Sequence, residues 1–197
     1  MKRASLKKRV MAYIIDMFIV GMIISIISLG YNSNNSRLDN LNKELDDVTS
    51  SYVNREITDM EYINAVSGIN YDINKVNIVS NTLYVVVCIG YFVMFQYLND
   101  GASIGKKFMH IKIVNKDKKR VSLFKIFIRT SIVDDIIPTI LTIILLYLTK
   151  GITYMSLCGI INFLSFVYII ICIITIKKRK DNLAINDIMS GSYVIEE

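Results

Sequence analysis

The chain has 197 residues, 53% of them hydrophobic and 20% charged, with a formal net charge of +6. A lone histidine, His110, and three cysteines without metal-site spacing exclude a multi-histidine or zinc-ribbon centre. The apolar residues are gathered in long blocks and the charges fall between them, which excludes an ordinary soluble globule and points to a membrane protein.

The first block is residues 10–30, and its 21 residues match the roughly 20 that a helix needs to cross the hydrocarbon core. A basic stretch precedes it, as in a signal peptide. The block is too long for a signal's apolar region, lacks a small-x-small cleavage site and contains Asp16, so a retained span is expected. Residues 31–77 are polar, with eight acids and four bases, and are expected to form an extracytoplasmic loop. Within them Leu38, Leu41, Leu45 and Val48 recur at helical spacing and mark a short amphipathic helix. Residues 78–98 carry no charge and form the second predicted span.

Residues 99–130 are a basic segment with nine Lys or Arg against Asp100 and Asp117. In residues 108–114, His110 and Lys112 alternate with apolar neighbours, a period of two that predicts a strand, and Asn-Lys-Asp-Lys then makes a turn. Residues 122–129 predict a short amphipathic helix at the membrane surface. The third span is expected over residues 131–149, with Pro138 near its start, where a missing N–H is tolerated. Residues 152–176 are uncharged and form the fourth span, separated from the third only by Lys150 and Gly151. Lys177–Lys180 stops it, and residues 191–195 predict a second strand. Cys88, Cys158 and Cys172 all lie inside apolar blocks, where a thiol acts as a small hydrophobe.

Orientation follows from the basic residues flanking the spans. Five lie before the first span, nine in residues 99–130 and four in the stop, against four in residues 31–77 and one at Lys150. This bias predicts both termini and the basic loop in the cytoplasm, in the plasma membrane. The fold expected is all-α: a four-helix transmembrane bundle with a small cytoplasmic β-element.

Asp16 is the sharpest chemical signal. It lies roughly 10 Å into the first span at 1.5 Å per residue. An acid there costs a few kcal/mol on insertion scales, about 2.5–3.5 at the helix centre, so it is paired or functional. Arg9 and Tyr13 share its helical face, so either an ion pair bridged by a phenol or a partner from another segment would satisfy it. Asp134 and Asp135 stand where they could cap the third span, and Arg129 is within reach of either or of Asp16. Gly101-Ala-Ser-Ile-Gly105-Lys106-Lys107 lacks the spacing and the final Ser or Thr of a phosphate loop, and a nucleotide site is rejected. The basic loop would attract anionic headgroups at about 1 kcal/mol per basic residue near the surface. No nucleophile–base pair, metal cluster, cofactor fingerprint or nucleic-acid motif can be assembled, so neither an enzyme nor a cofactor is expected.

Three separated stretches carry a family resemblance. Arg9-Val-Met-Ala-Tyr-Ile-Ile-Asp16 resembles the opening motif of the RDD family of integral membrane proteins, named for one arginine and two aspartates. Ser103-Ile-Gly105-Lys106-Lys107 and the residues on to Val114 look like the family's T-x-G-K stretch after the second span, with Ser in place of Thr. Arg129 matches an arginine that follows it. Asp187 to Val194 resembles the closing D-x-x-x-x-T-x-V motif, again with Ser192 in place of Thr. The polar insertion at 31–77 is longer than the family pattern. The resemblance implies a charge cluster of Arg9, Asp16, Lys106, Arg129 and Asp187 at the inner mouth of the bundle, beneath a pair of strands. It also implies transport of an ion or small ligand, with Asp16 as an intramembrane polar site. Four spans are few for a carrier, which favours a homo-oligomer. The alternative is a non-catalytic accessory protein that binds another membrane protein, for which the long polar loop would be the surface.

Overall fold

A computed structural model describes residues 2–31, 36–117 and 119–197. The start of the predicted polar loop at 32–35, and Lys118 in the turn after the first predicted strand, lie outside the described residues. Three helices are long and apolar enough to cross a membrane. The first is α1 (Leu6–Tyr31). It begins four residues before the predicted block because Lys7, Lys8 and Arg9 are good helix formers whose long stems can lie along apolar surface.

Most of the segment expected as a polar loop, from residue 36 on, is helical, which corrects the sequence expectation. It holds a helical hairpin of α2 (Ser36–Val53) and α3 (Asp59–Val76). The predicted helix at Leu38–Val48 is the middle of α2; α3 was not expected. Its start is a capping box: Thr58 Oγ1 accepts the Glu61 N–H at 3.3 Å, and Glu61 Oε2 accepts the Thr58 N–H at 2.8 Å. Tyr52 and Tyr62 stack across the hairpin with centroids 4.3 Å apart. Ile63, Val66, Ile69, Ile73 and Val76 recur every three or four residues along α3. The hairpin docks through Tyr71, whose hydroxyl donates to Leu146 O at 3.0 Å and whose ring meets Tyr154 edge-on.

The second span is continuous from Ile78 to Leu98 but not uniform. It comprises α4 (Ile78–Cys88), a π-helical stretch at Ile89–Phe95 and α5 (Gln96–Leu98). A π turn packs more residues into each turn and shifts the faces that follow. Here it leaves Tyr91, Phe92 and Val93 all buried.

After a tight turn at Gly101 (φ 87°) come α6 (Ile104–Phe108) and β1 (Ile111–Asn115). The first strand is therefore shorter than predicted. Phe108 closes a helical turn, and His110, at φ 53°, reverses the chain instead of alternating along a strand. The short amphipathic helix expected at 122–129 is present as α7 (Leu123–Thr130). The third apolar block is α8 (Ile136–Leu148), and residues 131–135 are a turn with Asp135 at φ 55°. Thirteen helical residues reach about 20 Å, short of the roughly 30 Å of a hydrocarbon core. The fourth block is α9 (Gly151–Lys178), apolar around its whole circumference, with Ile160, Phe163 and Phe166 more than half exposed. The chain ends in α10 (Ile185–Ser190) and β2 (Ser192–Glu196).

The two strands pair antiparallel, from Ile111 opposite Glu196 to Asn115 opposite Ser192. Ile111, Ile113 and Val194 point into the core. The N-terminus extends the sheet: the Ala4 N–H donates to Val194 O at 3.0 Å, and the Glu196 N–H donates to Lys2 O at 2.9 Å. The two ends of the chain thus lie side by side. The core joins α1, the second span, α7, α8 and the sheet through Ala12, Phe92, Ile126, Ile136 and Ile113. Thr58→Ala should cost the start of α3 about 1 kcal/mol. Amide exchange will read this as faster exchange at residues 60–63, with the middle of α1 unchanged.

Candidate functional site

Asp16 lies in the middle of α1 with 1% of its surface exposed. It takes none of its hydrogen bonds from Arg9 or Tyr13. Oδ1 accepts from the Tyr91 hydroxyl at 2.6 Å and from the Gly105 N–H at 2.7 Å. Oδ2 accepts from the Ser103 hydroxyl at 2.5 Å. The π-helical stretch brings Tyr91 to this position, and the turn after the second span brings Ser103 and Gly105. The stretch that only superficially suggested a phosphate loop does hold an anion, and that anion is the chain's own carboxylate. Ser103 Oγ also accepts the Lys106 N–H at 3.3 Å, so one hydroxyl fixes both Asp16 and the start of α6.

Gly105 is required by close approach. A Cβ there would sit 2.8 Å from Asp16 Cγ and would run into the Ala12 carbonyl oxygen. The small side chain of Ala12, 1% exposed, belongs to the same close packing of α1 against α6.

A second buried carboxylate, Asp187, lies where the termini meet. Its Oδ2 accepts from Arg9 Nη1 at 2.6 Å and from the Ala184 N–H at 2.9 Å. Its Oδ1 accepts from Arg129 Nη1, which also donates to Ser192 Oγ at 3.0 Å. Arg9 Nη2 and Nε reach the carbonyls of Asn182 and Ala4. Burial opposes ionisation of Asp187, but the Arg129 and Arg9 guanidiniums outweigh it and hold the carboxyl below its ordinary range.

The five charged residues expected in one cluster therefore form three arrangements. Arg9, Arg129 and Asp187 make one ion-paired triad. Asp16 is bound by neutral donors. Lys106 donates to Gln96 Oε1. What unites them is a cavity of about 200 Å³ whose wall includes Arg9, Asp16, Lys106, Arg129 and also Asp134. Asp134 sits in the turn before α8, not inside a helix. Burial pushes its carboxyl up and the Lys106 ammonium down, while the attraction between the two opposes both shifts.

Tyr91 and Gln96 were not singled out from the sequence, and Ser103 was noted only as a motif position, not as a donor to Asp16. A tyrosine in an apolar span reads as interfacial decoration, and its partnership with Asp16 depends on a π turn that the sequence does not announce. Asp134 was weighed as a helix cap or as a partner of Arg129. It does not cap: Asp135 precedes α8, and its carboxylate reaches only the Thr139 hydroxyl, at 3.3 Å.

Gly105→Ala should lower the stability of the purified protein by about 1–3 kcal/mol, as overpacking does, read as a lower unfolding temperature. Asp187→Asn leaves two guanidiniums facing a neutral amide and should cost about 3–5 kcal/mol. Because folding lowers the pKa of Asp187, its contribution is full above the unfolded carboxyl value of about 3.9 and is lost as pH falls through the lower folded value. Acid unfolding of Asp187→Asn should accordingly show a shallower dependence on pH than the wild type.

No curated protein and no solved structure matches the chain. A model of the RDD family does, over residues 3–191, a range that includes Arg9, Asp16 and Asp187. The chain belongs to the RDD family.

Proposed function

We propose that this is a four-span protein of the plasma membrane, with both termini in the cytoplasm, that takes part in moving an ion or small ligand across the bilayer. The observation that carries the transport reading is the cavity. It joins an acid from the middle of α1 to buried bases at the end of the bundle where the termini meet. Intramembrane charges that face a cavity mark conduction or binding pathways more often than inert packing. Side-by-side termini require an even number of crossings, which supports α8 as the fourth despite its 13 residues. A short helix is accommodated by local thinning of the bilayer at modest cost. The excess of Lys and Arg around the start of α1, between the second span and α8, and around the end of α9 supports the cytoplasmic side for the ends. The exposed apolar faces of α1 and α9 suit lipid contact or a second copy of the chain.

A second reading is that of an accessory protein. The α2–α3 hairpin favours it, because Val53, Met60 and Ile63 are exposed there beside the stacked tyrosines. A stoichiometric membrane partner that purifies with the intact protein and is lost when the hairpin surface is altered would support that reading.

Two measurements test the proposal. In proteoliposomes the wild type should carry ion flux that Asp16→Asn abolishes while its elution as a folded particle is retained; flux that never depends on Asp16 sinks the transport reading. In intact cells Ser50→Cys should react with a membrane-impermeant maleimide, and Glu197→Cys only after permeabilisation. The opposite labelling pattern overturns the orientation.

A further inference from the structure

Asp16, Asp187 and Asp134 are all buried at or beside the cavity, and they differ in how they are satisfied. Asp16 uses both oxygens to accept three hydrogen bonds. Asp187 uses both oxygens on two guanidiniums and a backbone N–H. Asp134 is 4% exposed and forms part of the cavity wall, yet among the described residues no donor reaches its carboxylate. Two phenols come close but bind the backbone instead. Tyr13 donates to Val133 O at 3.3 Å, and Tyr84 to Asp134 O at 3.5 Å. They fix the turn and leave the side chain free.

We propose that Asp134 is a proton-binding site, a carboxyl that takes up and gives back a proton through the cavity, facing Lys106 across the space. A buried ionised carboxylate without a hydrogen-bond donor costs more than a neutral acid, so a proton is the ligand its burial favours. A metal cation would need several oxygen ligands, and the groups around Asp134 argue against one. They are Tyr13, Asp16 and Arg9 from α1, Tyr84 and Cys88 from the second span, Lys106 from α6, Arg129 from α7, its neighbour Asp135, and Asn186 from α10. Three of these are cations that would repel a metal ion. Lys106 is the group that makes release of the proton feasible. Its ammonium faces the same cavity and stabilises the carboxylate when the proton leaves, without itself contacting either oxygen.

Asp16 is then the fixed member of the site and Asp134 the exchanging one. The inference rests on the transport reading only for its purpose; the proton site itself can be tested without flux.

A lipophilic carbodiimide provides the test. It reacts with a protonated carboxyl in apolar surroundings: the acid O–H adds across one C=N bond, the proton goes to nitrogen and the carboxylate oxygen to the central carbon, and the adduct rearranges to a stable N-acylurea. The intact wild-type protein is treated at a series of pH values around neutrality, and its peptides are mapped by mass. The expected result is one adduct on Asp134, falling in yield as pH rises, with Asp16 and Asp187 unmodified. In Lys106→Met the fall should move to higher pH, because the carboxylate has lost its stabilising cation. An adduct on Asp16 in place of Asp134, or no adduct on Asp134 at any pH, overturns the proposal, and neither outcome needs a variant that must fold. Labelling of Asp134 in a protein without flux would keep this site and sink transport. Asp16-dependent flux without labelling of Asp134 would do the reverse.

Discussion

A carboxylate taken out of water must be given donors, and Asp16 finds all of its donors outside its own helix. One is Ser103, just before α6, one is Gly105 in α6, and one is Tyr91 in the second span. That requirement draws α1, the π-helical stretch and α6 to one point. Ala12 and Gly105 are small because the backbones must approach closely there, and the Ser103 hydroxyl closes both the acid site and the start of α6. The cavity lies against this junction. It owes its position to the way a single acid is satisfied, more than to the general packing of apolar helices.

The second acid organises the other end of the cavity. Asp187 lies within hydrogen-bonding reach of guanidiniums from the first and the seventh helices and of the backbone that begins α10. Neutralising one carboxylate with two arginines leaves a surplus positive charge, and Asp134 and Asp16 line the same cavity as the two arginines. The buried set of Arg9, Lys106, Arg129, Asp16, Asp134 and Asp187 balances when all six are ionised. Gain of a proton anywhere in it is therefore felt by the rest, through a medium that screens poorly.

Much of this was legible in the sequence, and the gaps have physical causes. The apolar blocks gave the long helices because a 20-residue run has few other uses. The alternation at Lys112 and the β-branched tail gave the two strands, although the turn at His110 was invisible because a left-handed histidine leaves no pattern. The α2–α3 hairpin was read as loop because its polar faces dominate the composition; Thr58 and Glu61 were a capping box in plain view, and the apolar stripe from Ile63 to Val76 was there to be counted. Arg9, Arg129 and Asp187 were named correctly as neighbours by resemblance. Spacing along α1 left two partners open for Asp16, Arg9 on its own helix or a group from another segment, and the structure has the second. The helical face is right, but the hydrogen-bond donors came from 75 to 89 residues away. Sequence periodicity reports which face a residue occupies and is silent on what arrives there.

The Arg9–Asp187 bond spans 178 positions of the chain. Arg9 is made and inserted at the beginning, while its carboxylate is synthesised only after every apolar helix has been produced. Until then the first span holds a guanidinium with no protein counter-ion, at the very edge of the hydrocarbon. The sheet has the same dependence, since β1 has nothing to pair with before β2 exists. This junction is therefore closed only by the segment that follows α9, and a nascent chain that has not reached Asp187 carries Arg9 without its partner.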